Sequence, residues 1–143
     1  MLFGKRKRVV NRILIVEDEP LTAFDTENLI GSEGYEVVAT LDRFADAVET
    51  LEREQVDLIL CDVRLTGERT GIDLARDAKR RGIPVLFVTG GPPDNAEELV
   101  IGVLMKPYSS RTLRSALSCI DSYLAGGKAR PPKGLTLYPK ATI

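Results

Sequence analysis

The chain is predicted to be an α/β domain built on a five-stranded parallel sheet. Three observations carry that prediction. Short apolar runs alternate with segments of helical periodicity along most of the 143 residues. The runs are too uniformly apolar to be strands with one wet face, so helices must cover both faces. Nearly every run also stops at a polar or ionisable residue.

The elements follow in order. Ile13 to Val16 is an apolar run that ends at Glu17, Asp18, Glu19 and Pro20. Pro20 suits a first helical turn, and the helix should reach about Ser32, before Gly34. Its apolar stripe is weak. Tyr35 to Asp42 is the second strand, and Phe44, Ala47, Val48 and Leu51 recur at helical spacing after it. "VDLILCDVRL", residues 56–65, gives a buried third strand that runs without a break into Asp62. Gly71, Leu74, Ala75 and Ala78 then share a helical face, with Gly82 placed to end that helix. Ile83 to Thr89 is the fourth strand and Ile101 to Lys106 the fifth, with Pro107 blocking its continuation. Leu113, Ala116, Leu117, Ile120 and Leu124 make the last helix the clearest in the chain. Right-handed crossovers leave few arrangements, and the flavodoxin-like strand order 2-1-3-4-5 is the commonest for five strands.

Between Thr89 and the fifth strand lie only "GGPPDNAEELV" residues. Two glycines and two prolines leave room for one or two helical turns, about Asp94 to Leu99. Such a turn is marginal on its own, so residues 90–100 are expected to be the mobile element of the fold.

The sequence divides into a basic, flexible arm at 1–11, a domain at 12–124 and a tail at 125–143 rich in Gly, Pro and Lys. The tail is expected to be flexible, although "LTLY" could dock as an edge strand. Net charge is −1, which gives no bulk attraction to nucleic acid. Cys61 and Cys119 form no C-x-x-C pair and read as reduced core thiols. No apolar run approaches the ~18 residues of a membrane span, and no signal-peptide core opens the chain, so a cytoplasmic location is expected. Histidine is absent. Any chemistry must come from carboxylates, hydroxyls, lysine or main chain.

In an open α/β sheet, ligands bind beyond the carboxyl ends of the strands, where the strand order reverses. There strand one delivers Glu17 and Asp18, strand three Asp62, strand four Thr89 and strand five Lys106. Clustered acids repel, and a divalent cation relieves the repulsion. Oxygen ligands without histidine or thiolate point to Mg²⁺, or Mn²⁺. Thr89 and Lys106 would face that cation and hold the oxygens of a phosphoryl group. Asp62 is then a candidate nucleophile: it is ionised at neutral pH and needs no general base.

That set of residues resembles the response-regulator receiver domain of two-component signalling, over residues 12 to 124. The resemblance implies that Asp62 accepts phosphate from a phosphohistidine on a separate protein, a histidine kinase or a histidine phosphotransferase. It implies that Asp18, Asp62 and the main-chain carbonyl of Arg64 ligate Mg²⁺, with Glu17 acting through water. Thr89 and Lys106 would bind phosphoryl oxygens, and Gly90 would leave room for the donor. The stretch Pro84 to Pro92 further resembles the FAT-GUY subfamily, many of them single-domain receivers, through Phe87, Thr89, Gly90 and Gly91. That likeness implies a phosphorelay serving a stress response. Val88 and Pro92 depart from the subfamily pattern, and Val103 stands where receivers place a switch aromatic, leaving Tyr108 as the nearest substitute.

Two other readings remain. A Mg²⁺-dependent aspartyl-phosphate phosphatase would want a second acid two residues after Asp62, where Arg64 stands. A protein-interaction module would use the fold without phosphorylation. The expectation is a monomeric signalling protein that is neither an enzyme nor a DNA or membrane binder.

Overall fold

The computed structural model describes residues 7–139. The strands are β1 (Arg12–Val16), β2 (Glu36–Leu41), β3 (Leu58–Cys61), β4 (Val85–Thr89), β5 (Gly102–Met105) and β6 (Leu135–Leu137). The helices are α1 (Pro20–Ser32), α2 (Phe44–Arg53), α3 (Gly71–Arg80) and α4 (Ser110–Leu124). The sheet order is β2-β1-β3-β4-β5-β6. The first five strands are parallel, as the sequence predicts, and β6 adds antiparallel to β5.

Alternation along each strand builds two cores. Ile13, Ile15, Leu58, Leu60, Leu86, Val88 and Leu104 face Ile30 of α1 and Leu113, Leu117 and Ile120 of α4. Their sequence neighbours Leu14, Val16, Ile59, Cys61, Val85, Phe87 and Val103 face Ala47 and Leu51 of α2 and Leu74, Ala75 and Ala78 of α3. β3 and β4 are buried at every position. This is why they read as continuous apolar runs rather than alternating ones.

α1 buries only Ala23, Thr26 and Ile30, which accounts for its faint stripe. α3 starts at a capping box. The Thr70 hydroxyl accepts from the Ile72 and Asp73 N–H groups, and the Asp73 carboxylate accepts from Thr70 N–H.

The β4–β5 crossover holds a single 3₁₀ turn, Ala96–Glu98, within the one or two turns expected over about Asp94 to Leu99. It is pinned nonetheless: Ala96 and Val100 are buried, and the Lys79 ammonium donates to the Glu98 carbonyl.

Two expectations about the ends need correcting. The free arm over 1–11 does not extend to residues 8–11. The N–H groups of Val9 and Val10 donate to Asp121 Oδ1 at 2.9 and 2.8 Å, and Val10 is buried. The Arg8 guanidinium lies 4.0 Å from the Tyr35 ring centre. An inward-facing acid near the end of α4 supplies the anchor. Likewise the 125–143 tail is not free throughout, since Leu135–Leu137 forms β6. Residues 1–6 and 140–143 lie outside the described residues.

Candidate functional site

The carboxyl edge of the sheet is fixed by hydrogen bonds that prolong the ladders past the last strand residues. Glu17 N–H donates to Leu41 O, Asp62 N–H to Val16 O and Lys106 N–H to Thr89 O, at 2.8, 2.9 and 3.0 Å. Side chains from four sequence regions are thereby held on rigid backbone. The Lys106–Pro107 peptide is cis.

The carboxylates of Glu17, Asp18 and Asp62 place one oxygen each within 4.8 Å of one another. Lys106 Nζ donates to Glu17 Oε1 at 2.8 Å and to Asp62 Oδ2 at 3.0 Å. Arg64 N–H donates to Asp62 Oδ1 at 3.2 Å. Thr89 caps its own loop: its hydroxyl accepts from Gly91 N–H and donates to Gly91 O. A cavity of about 330 Å³ opens beside Asp62, lined by Val63, Arg64, Thr89, Gly90 and Gly91. A Cβ on Gly91 would meet nothing within 4 Å, and one on Gly90 only Lys106 O at 3.9 Å. The loop therefore leaves the approach to Asp62 open.

Electrostatics separates the two buried acids. Burial, followed by the hydrogen bond with Asp62, raises Glu17 to about 7, against the opposing pull of Lys106. Burial pushes Asp62 upward too, but its hydrogen bonds with Glu17, Lys106 and Arg64 N–H win and hold it below the usual aspartate range. Burial works against the Lys106 charge, and the hydrogen bonds to Glu17 and Asp62 outweigh it, raising its pKa. Near neutral pH, Asp62 is the anion and Glu17 carries a share of the proton, an arrangement suited to a nucleophile at Asp62.

The donor set fits a hard divalent cation. All three acidic side chains offer oxygen, and the chain contains no histidine. The nearby Cys61 thiol faces the Asp62 and Gly71 carbonyls, and burial raises its pKa far above the usual thiol range. It offers no thiolate ligand.

One positioning residue escaped the sequence reading. Gly71 was assigned only to an apolar helical face, yet a Cβ there would lie 2.0 Å from the Asp62 carbonyl oxygen. Its bare Cα lets the start of α3 close against the backbone of Asp62, and Gly71 N–H donates to Val63 O. The Thr70-x-x-Asp73 spacing was the available signal. Tyr108, the candidate substitute aromatic, engages α1 instead, with its hydroxyl 3.0 Å from Thr26 Oγ1.

Comparison with known proteins bears on this arrangement. The response regulator receiver domain family matches residues 13–118. The chain belongs to that family. Relatives of this receiver include the transcriptional regulatory protein PdtaR of Mycobacterium tuberculosis, 33% identical over 115 residues, covering 76% of this chain and 56% of PdtaR. The phyllosphere-induced regulator PhyR of Methylorubrum extorquens is 36% identical over 119 residues, covering 77% and 43%. The receiver thus spans about half the length of these curated relatives. The crystal structure of PhyR from Brucella abortus superposes with a TM-score of 0.71 at 26% identity, over 84% of this chain and 51% of that one. The receiver domain of a putative Luxo repressor from Vibrio parahaemolyticus matches the fold at 0.70 and 22% identity, over 82% and 94%. Among the described residues, no helix is long and apolar enough to cross a membrane.

Proposed function

We propose that this receiver is a cytoplasmic response regulator that accepts a phosphoryl group on Asp62 from a phosphohistidine of a histidine kinase or histidine phosphotransferase. The observation carrying the reading is the Asp62 carboxylate, held anionic within 3.0 Å of Lys106 Nζ and facing an open cavity toward Thr89 and Gly90. In the transfer, an Asp62 carboxylate oxygen bonds to phosphorus while the P–N bond to the imidazole breaks. The electron pair stays on that nitrogen, which takes a proton from water. Lys106 swings from Glu17 and Asp62 to a phosphoryl oxygen, and the Thr89 hydroxyl, leaving its loop carbonyl, donates to another. Asp18, Asp62 and the Arg64 carbonyl would hold Mg²⁺ or Mn²⁺, with Glu17 through water, and the cation would supply charge neutralisation. Gly71 sets the acceptor's backbone in place.

The donor protein docks next to the site. Leu21 and Phe24 of α1 are 75% and 60% exposed, unlike the other large apolar residues of the helix. Other residues of the same helix, Thr22 and Thr26, line a cavity of about 470 Å³ together with Glu19, Lys106 and Tyr108. An exposed apolar pair on a helix beside the acceptor suits a helical partner.

Output proceeds by phosphorelay or by phosphorylation-dependent binding of a further protein, with the chain acting as a monomer and not as an enzyme or a DNA binder. The resemblance to the FAT-GUY receivers, and a solved relative described as the PhyR stress response regulator, favour a role in a stress response. Residues 90–100 are the segment that phosphorylation orders further, since a lone 3₁₀ turn, held by Ala96, Val100 and Lys79, is the one helical piece between the Gly90–Gly91 loop and β5.

The test titrates Mg²⁺ with and without beryllofluoride, an acyl-phosphate mimic, and follows amide NMR shifts. Saturable metal shifts at residues 17, 18 and 62, and mimic-dependent changes at residues 90–100 that vanish in Asp62→Asn, are expected. Metal binding without any response to the mimic would make Asp62 a metal ligand only and sink the acceptor role.

A further inference from the structure

β5 opens on a glycine, whose lack of a side chain ordinarily weakens pairing. Gly102 has a specific cause. A Cβ at this position would lie 2.3 Å from Thr136 O and 3.1 Å from Leu137 Cδ2. The residue is bare so that another strand can lie close along the outer edge of β5.

The chain's own C-terminal segment now fills that edge. Gly102 pairs with Leu137, Val103 with Thr136 and Leu104 with Leu135. The pairing is extended at both ends, by Met105 N–H donating to Gly134 O and Tyr138 N–H to Ile101 O, at 2.9 and 2.8 Å. Leu135 is buried and Leu137 packs beside it against the core shared with α4. Tyr138 reaches the opposite core, beside Leu99 and Val100, and its carbonyl accepts from the Tyr123 hydroxyl. The edge therefore reads a pattern of apolar, polar, apolar and aromatic residues in extended conformation.

The occupant is weakly built. β6 is three residues long and is joined to α4 by ten residues, 125–134, that contain no helix or strand. Few buried side chains and a short ladder place it at the low end of local stability.

We propose that the outer edge of β5 is a strand-docking site for an extended partner segment patterned apolar–polar–apolar–aromatic, and that residues 134–138 occupy it as an internal competitor. Main-chain hydrogen bonds supply the affinity and the two cores supply the selectivity. The tether gives the internal strand a millimolar-range advantage over any partner in trans. This site is separate from phosphoacceptance and stands whether or not Asp62 is phosphorylated.

The test uses the full chain and a fluorescein-labelled synthetic peptide with the sequence of residues 132–139. Thr136→Pro removes a donor from the middle of the tail strand and should release it. The peptide should bind Thr136→Pro saturably, bind wild type at least about tenfold more weakly, and fail to bind Thr136→Pro/Gly102→Val. No binding to Thr136→Pro, or equal binding to all three proteins, overturns the proposal. Should Thr136→Pro lose its fold, Leu135→Ser serves in its place. Hydrogen exchange gives a reading on the wild type alone. Met105 N–H, bonded to the tail, should exchange at least about tenfold faster than Lys106 N–H, bonded to β4. Equal protection of the two means that the edge opens only with the whole fold, and that defeats the proposal. Concentration-dependent dimers exchanging their tails would make a second copy the occupant and exclude the heterologous partner.

Discussion

Acids lie at both ends of the sheet, and the two ends accommodate them differently. At the amino end, Asp121 is 5% exposed and accepts the Val9 and Val10 N–H groups, while half-buried Asp57 accepts those of Asn11 and Arg12. The backbone donors among these partners are fixed by the chain's path. At the carboxyl end, Glu17 and Asp62 are as deeply buried but share one lysine ammonium, with a single backbone N–H added to each. A side-chain cation can leave and be replaced. Fixed donors make a joint, whereas a movable one makes a site. Burial of an acid is thus a poor guide to function until its partners are known.

The largest expected effect tests the carboxyl end. Asp62→Asn removes the nucleophile and should lower phosphorylation by a phosphohistidine donor more than about a thousandfold. Its unfolding free energy should fall by about 1 kcal/mol or less, because the amide gives up the ion pair with Lys106, which keeps Glu17, while easing the crowding of acids. A stability loss of several kcal/mol would erase the distinction between the two ends.

The amino end should show the reverse. Asp121→Ala strands two backbone donors and should destabilise by about 1–3 kcal/mol in urea unfolding. Phosphorylation, followed on the folded variant, should stay near the wild-type rate. If phosphorylation collapsed with the fold intact, Asp121 would belong to the site.

The next effect is a matter of pH. Glu17 keeps its proton up to about 7, and a protonated carboxyl gives a metal or its water no anionic oxygen. Mg²⁺ affinity should therefore rise with pH toward 7 and level off above it. A drop of roughly tenfold between pH 7.5 and 5.5 is expected by calorimetry. Glu17→Gln should flatten that profile.

The smallest stability effect sits between the ends, on α1. Phe24→Ala should change unfolding free energy by about 0.5 kcal/mol or less while slowing phosphotransfer from the partner. A marked loss of stability would place Phe24 in the fold and not on a docking face.

The sequence made the carboxyl end legible because buried strands stop at the polar residues that gather there, so the candidate site is written where the apolar run breaks. Asp62, Thr89 and Lys106 all follow this rule. The amino end was obscure for the opposite reason. Arg8 sits in a basic cluster that looks solvated, and nothing near Val10 announces a carboxylate 111 positions away. β6 was foreseen only as an option, since three residues amid Gly, Pro and Lys carry almost no periodicity. Gly102 held the missing signal: a glycine within an apolar strand marks a close neighbour, and reading it so would have drawn the tail onto β5. Gly71 hid similarly, because a small residue on a helical face passes for packing.

The joint at Asp121 also sets where a handle on this protein hangs. Residues 8–10 are fastened beside the end of α4 and the start of β2, at the rim opposite Asp62. A fluorophore or affinity tag attached upstream of residue 8 therefore enters the fold at the rim away from Asp62. It is an anchor for immobilising the molecule with Asp62 facing outward.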